Sequence, residues 1–169
     1  TGPVGEATVR IGGITKGSGM IHPDMATMLA FLATDVAMDP DLLQEALSEA
    51  SDHTFNCITV DGETSTNDLV ILFANGEVGK KIRKKGEPYH QFVALLTEVC
   101  LRLAKEIVRD GEGATKLIEV TVLGVPGGNK MARNIAFSVA RSSLVKTAFF
   151  GEDANWGRIV AAIGNAGAP

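Results

Sequence analysis

Thr27 stands behind a glycine-rich turn and ahead of an apolar stretch, in the segment Lys16-Gly-Ser-Gly-Met-Ile-His-Pro-Asp-Met-Ala-Thr-Met-Leu29. A hydroxyl there can attack the carbonyl of Ala26 and move the acyl group from nitrogen to oxygen. Hydrolysis of that ester leaves Thr27 as a new chain start. The freed α-amine has an ordinary pKa of about 8, so near neutral pH a useful fraction is unprotonated and can take the proton from the Thr27 hydroxyl. One residue then supplies both nucleophile and base. Threonine is also a common strand residue, favoured by its branched β-carbon, so residue type alone leaves Thr27 open between nucleophile and sheet.

The surrounding motif favours the nucleophile. Lys16 to Leu29 resembles the self-cleavage motif of the ornithine acetyltransferase family, the bifunctional glutamate N-acetyltransferases of cyclic arginine biosynthesis. Asp61-Gly-Glu-Thr-Ser-Thr-Asn-Asp68, Asp110-Gly-Glu-Gly-Ala-Thr-Lys116 and Phe150-Gly-Glu-Asp-Ala-Asn-Trp-Gly-Arg-Ile159 resemble further blocks of that family, in its order and near its spacing. The similarity runs from about Thr8 to about Gly167.

The resemblance implies self-cleavage between Ala26 and Thr27. Residues 1–26 would then end an α-chain and residues 27–169 form a β-chain segment without its C-terminal part, both within one structural domain. It also implies a ping-pong reaction. Thr27 takes the acetyl group from N-acetylornithine as an ester, ornithine leaves, and the amine of glutamate accepts the acetyl. Lys16 and Glu112 match the family's substrate-binding lysine and glutamate. Lys16 can meet a substrate carboxylate or a developing oxyanion, and Glu112 the free ammonium of ornithine. Without the resemblance, Lys16 is a surface lysine beside a turn and Glu112 a solvated turn residue at a helix end.

The expected fold is α/β, a layered helix-sheet-sheet-helix sandwich of the ornithine acetyltransferase and N-terminal-nucleophile-like type. Expected partners are the small-molecule substrates and the complementary chain segments of an α/β hetero-oligomer, with no nucleic acid and no membrane. No cofactor is implied, although acetyl-CoA serves bifunctional members as a further acetyl donor. Family members are longer. Their upstream Thr-Gly oxyanion-hole pair and their C-terminal Asn and Thr have no counterpart here, since Thr1-Gly2 stands too close to Thr27. Two other readings remain open: an amidohydrolase or aminopeptidase in which water resolves the acyl-enzyme, and an uncleaved, inactive module acting by association.

Asp61, Asn67, Asp68 and Asp153 could in principle bind a metal, but His22, His53 and His90 are isolated and share no ligand spacing. No metal site is read. Asn67 or Asp68 could orient the Thr27 amine or simply cap a turn. Asn155, Trp156 and Arg158 read as packing and helix-start residues. Gly17-Ser-Gly19 lacks the strand-loop-helix context of a phosphate loop.

These residues must be carried by regular elements. Ala7 to Ile11 alternates as a strand, ended by Gly12-Gly13. Thr27 to Ala33 suits a strand buried on both faces. Asp39-Pro40 opens a helix whose apolar face is Leu42, Leu43, Ala46 and Ala50. Phe55 to Val60 and Leu69 to Ala74 read as strands flanking the polar block 61–68. Glu87-Pro88 opens the longest helix, on which Phe92, Leu95, Leu96, Val99, Leu103 and Ile107 recur at helical spacing up to Asp110-Gly111. Beyond it, Ile118 to Val125 predicts a strand, Lys130 to Ser142 a helix, Val145 to Phe150 a strand and Trp156 to Ile163 a short helix.

At 169 residues, 45% of them hydrophobic, the chain is long enough for one well-buried core. A net charge of −4 with interspersed signs selects neither nucleic acid nor membrane. The basic run Lys80 to Lys85 precedes Gly86-Glu-Pro88 and reads as a solvated loop. Cys57 and Cys100 form neither a disulfide framework nor a metal cluster; both read as small core residues in a reducing compartment, hence a cytoplasmic expectation. No apolar run of ~18 residues and no signal peptide is seen.

Overall fold

The computed structural model describes residues 1–22, 28–64 and 67–167. Strands β1 (Gly2–Val4) and β2 (Ala7–Val9) form an antiparallel hairpin in which Gly2 faces Val9. A new strand, β3 (Ile11–Lys16), then runs straight through Gly12 and Gly13, the pair expected to end a strand. Packing is the reason. A Cβ on Gly13 would lie 2.9 Å from Leu32 Cδ2 and 3.1 Å from Leu103 Cδ1, so a helix can press on the strand there only because residue 13 has no side chain.

Strand β4 (Leu29–Met38) is the centre of a three-stranded sheet. It pairs antiparallel with β3, from Ile11 opposite Thr34 to Lys16 opposite Leu29. It pairs parallel with β5 (Leu69–Ile82), from Leu29 opposite Leu69. Because side chains alternate along a strand, Ala30, Leu32, Thr34 and Val36 are buried against the helices while Phe31 and Ala33 point the other way. The expectation of burial on both faces is therefore corrected among the described residues. Ile14 is 71% exposed and Phe73 58%, and with Phe31 and Leu69 they make the outer sheet face apolar. A sheet face of this composition requires a second layer.

The other face is covered. Helix α1 (Pro40–Asp52) starts on a proline whose fixed φ suits the first turn. Asp39 occupies the cap position, but its side chain makes no capping bond and instead pairs with Lys81 at 2.7 Å. Helix α2 (Glu87–Arg109) buries Phe92, Leu96 and Ile107 of the predicted stripe, with Leu95, Val99 and Leu103 at its margin. These join Leu32, Val36, Ala46 and Ala50 in one core. Cys100 lies in that core, and burial pushes its thiol up to about 12. Cys57 is exposed, contrary to expectation.

Cys57 moves to the surface because Phe55–Cys57 is a single 3-10 turn rather than a strand. Thr54 donates its hydroxyl to Ala50 O at 2.7 Å, so the chain winds down from α1 instead of extending. The basic run is also partly strand: Lys80 and Lys81 belong to β5 and pair with Glu6 and Asp39, while Lys85 pairs with Glu45.

The last third is helical. Helix α3 (Gly128–Arg141) and helix α5 (Trp156–Gly164) fall where the sequence placed them, and helix α4 (Ser143–Phe150) replaces a predicted strand. Ser142 caps α4 by accepting the Val145 N–H at 3.3 Å, a start signal that the short apolar run obscured. Val139, Val145 and Ala162 form a small second core, against which Val120 and Ile159 pack. Ile118 to Val125 pairs with no strand among the described residues, so its predicted ladder is absent there. Trp156, expected to pack, is exposed. No helix among the described residues is long and apolar enough to cross a membrane.

Candidate active site

The ends of β3 and β4 set the site. Lys16, the last residue of β3, stands opposite Leu29, the first of β4, so the hairpin register brings the lysine level with the strand that follows the Ala26–Thr27 bond in sequence. Ala26 and Thr27, the expected cleavage point and nucleophile, lie outside the described residues. Their neighbour Met28 is buried. Its N–H donates to Asp68 Oδ1 at 2.8 Å, and its carbonyl accepts the Leu69 N–H at 3.1 Å.

The glycine turn after Lys16 is tied to two other segments. Glu112, just beyond the end of α2, donates its backbone N–H to the carbonyl of Ser18 at 3.1 Å. Its carboxylate then lies against Gly19: a Cβ there would be 3.2 Å from Glu112 Oε1 and 3.9 Å from Asp61 Oδ2. Two carboxylates therefore converge on Gly19, where a side chain would crowd Glu112 Oε1. Gly111 has a similar role, since a Cβ on it would meet Val60 Cγ1 at 3.0 Å. Gly113 crowds nothing; it is at φ +70, in the left-handed region.

Lys16 and Glu112 are both exposed, and neither side chain has a hydrogen bond or ion pair among the described residues. A free ammonium and a free carboxylate thus flank one short turn. That pairing is suited to a zwitterionic ligand, whose carboxylate and ammonium need opposite partners.

Asp61 and Asp68 hold backbone. Asp61 accepts the N–H groups of Met20 at 2.6 Å, Ile21 at 3.1 Å and Glu63 at 3.0 Å. Burial holds the Asp68 carboxyl above its ordinary value of 3.8, an effect partly offset by the Met28 hydrogen bond. Beside Glu112 opens a cavity of about 340 Å3 lined by Thr59, Val60, Lys116, Lys146 and Phe149. Lys146 donates to the Val60 carbonyl and Lys116 to the Phe149 carbonyl at 2.8 Å.

A family model described as the ArgJ family matches residues 2–169. The chain belongs to the ArgJ family. It is 59% identical over 166 residues to the arginine biosynthesis bifunctional protein ArgJ of Synechococcus sp., covering 98% of this chain and 40% of that protein. The protein of the same name from Geobacter sulfurreducens is 55% identical over 169 residues, covering 99% of this chain and 43% of that protein. The crystal structure of arginine biosynthesis bifunctional protein ArgJ from Bacillus halodurans superposes with a TM-score of 0.80 at 48% identity, over 85% of this chain and 67% of that one. The chain thus spans about two fifths of the length of the curated ArgJ relatives it matches, and it has the layered α/β fold expected of it.

Sequence reasoning singled out Lys16 and Glu112, and the fold brings their segments together at the glycine turn. It underrated Asp61 and Asp68. The available signal was their position at the two ends of a polar block between elements. Lys146 was missed because its apolar neighbours read as a strand, whereas a helix turns it toward Val60. Asn155 caps α5, and Arg158 donates to the Leu144 carbonyl at 2.8 Å, which places both in helix packing.

Proposed function

We propose that the complete protein is an acetyltransferase that moves the acetyl group of N-acetylornithine to glutamate through an ester on Thr27, after self-cleavage between Ala26 and Thr27. The observation that carries this reading is the pair of opposite charges, Lys16 and Glu112, neither with a partner among the described residues, one beginning the turn that leads to the threonine segment and the other tied to it. The family membership and the name shared by its relatives, arginine biosynthesis bifunctional protein, support it.

In this reading the Thr27 hydroxyl attacks the acetyl carbonyl while its own α-amine takes the proton. The tetrahedral oxyanion collapses, the departing ornithine amine receives that proton, and the acetyl ester remains. The amine of glutamate then attacks the ester, the Thr27 amine accepts its proton and returns it to the threonine oxygen, and N-acetylglutamate leaves. One nucleophile with its own base serves both halves, so the chemistry calls for no metal. Glu112 holds the substrate ammonium and Lys16 the carboxylate or the oxyanion, each by a charge-assisted hydrogen bond. Acetyl-CoA enters as an alternative donor to the same threonine. The two chains released by cleavage stay assembled, because β3 from one and β4 from the other share a ladder.

The test uses the complete, cleaved protein with N-acetylornithine alone. It releases ornithine up to the number of sites and adds one acetyl mass to the Thr27 chain, and glutamate then discharges that mass as N-acetylglutamate. Discharge by water as fast as by glutamate would make the protein a hydrolase, and no acetylated chain at all would remove the ester from the mechanism.

A further inference from the structure

Residues 59–61 and 68–69 grip the chain on the two sides of residues 23–27. On the near side, Asp61 accepts the N–H groups of Met20 and Ile21, and the Ile21 carbonyl accepts Val60 N–H at 2.9 Å and the Thr59 hydroxyl at 3.1 Å. On the far side, Asp68 accepts the N–H of Met28, and Leu69 N–H donates to the Met28 carbonyl. The Met28 nitrogen is the atom covalently bonded to the Thr27 carbonyl carbon, so Asp68 holds the peptide group next to the proposed nucleophile.

We propose that Asp61 and Asp68 are positioning residues that form a two-point clamp across the scissile segment, Asp61 on the α-chain side and Asp68 on the β-chain side. The role rests on the function proposed above. Self-cleavage turns one tether into two free ends, and the clamp keeps each end at its place when the covalent link is gone. Met20 stands at φ +52, a left-handed conformation uncommon for a methionine, and its N–H is held there by Asp61 at 2.6 Å. Side-chain carboxylates suit the task because they accept without donating and can take more than one N–H, as Asp61 does. The same Asp61 oxygen that holds Met20 borders Gly19, against which the Glu112 carboxylate also lies, so the clamp also sets the turn beside the ammonium-binding carboxylate. Neither aspartate needs to touch substrate.

The test compares Asp61→Ala, Asp61→Asn, Asp68→Ala and Asp68→Asn in the complete protein. Amide hydrogen exchange is read over residues 20–28 in a Thr27→Ala background, which separates it from cleavage. Asp68→Ala should speed exchange at Met28 about tenfold, and Asp61→Ala should do the same at Met20 and Ile21. With Thr27 intact, each alanine variant should slow self-cleavage and lower kcat about tenfold, with KM for N-acetylornithine within about twofold of wild type for Asp68→Ala. Asp68→Asn keeps the one acceptor oxygen that Met28 uses and should recover most of the loss, whereas Asp61→Asn keeps one of the two oxygens in use and should recover part of it. A merely structural role would lower the melting temperature without this split and without rescue.

Exchange unchanged in both alanine variants overturns the clamp, as does Asp68→Asn being as slow as Asp68→Ala, which would mean that charge rather than the acceptor matters. Should the alanine variants fail to fold, the asparagine variants decide by the same rates. If the wild-type protein neither cleaves nor transfers acetyl, the proposed function fails, while the exchange measurement still decides whether the clamp exists.

Discussion

The backbone N–H of Glu112 donates to the carbonyl oxygen of Ser18 at 3.1 Å, joining the exit of α2 to the glycine turn after Lys16. Residues nearly a hundred positions apart in the chain thereby place a carboxylate and an ammonium at one turn. The bond is between backbone groups, so changing the Glu112 side chain leaves the turn in place.

Glu112→Gln keeps the shape and removes the charge. A charge-assisted hydrogen bond is worth about 1.5 to 3 kcal/mol at full strength, but Glu112 is exposed and water screens it, so KM for N-acetylornithine should rise roughly fivefold. Self-cleavage should proceed as before. Steady-state kinetics on the complete enzyme check this, and an unchanged KM would leave Glu112 as a turn residue.

Thr27→Ala should keep the complete precursor as one chain, because the hydroxyl that attacks the Ala26 carbonyl is gone. Intact mass reads the outcome directly. Cleavage at the same bond in this variant would assign the cut to an external protease.

Gly13→Ala should destabilise the fold by about 1 to 3 kcal/mol, the usual range for overpacking a well-packed contact. The added methyl would meet Leu32 Cδ2 at 2.9 Å and Phe31 O at 3.1 Å, and a backbone oxygen in the central strand has little room to yield. A lower denaturant midpoint with an unchanged slope is the expected signature. No change in midpoint would show that α2 can retreat from β3 without cost.

Asp68 makes stability depend on pH with a definite sign. Its carboxyl titrates above 3.8 in the folded chain because burial disfavours the charged form. Its contribution is therefore fully present below the unfolded value and is lost as pH rises through the folded value. The stability of wild type relative to Asp68→Asn should decrease as pH is raised from about 3 toward neutral. Denaturation at a series of pH values measures it, and the opposite slope would mean that the Met28 hydrogen bond outweighs burial.

The residues by themselves determined the family and the strongly periodic elements. The family was legible because the blocks around Lys16, Asp61, Glu112 and Trp156 keep fixed offsets along the chain. Helix α2 was legible because Phe92, Leu96 and Ile107 repeat over several turns, and α1 because Asp39-Pro40 marks its start. Only the tertiary structure decided the rest. Phe55 to Val60, Ile118 to Val125 and Val145 to Phe150 are short apolar runs, and a run of that length fits a strand, an irregular segment or a helix equally well until its neighbours are known. Gly13 read as a strand end because glycine is locally a breaker, yet Leu103, ninety positions away, makes its missing side chain a packing requirement. Asp61 and Asp68 read as turn residues for the same reason. Their partners, Met20, Ile21 and Met28, lie about forty positions earlier, and a backbone N–H leaves no mark in a sequence to say which carboxylate will accept it.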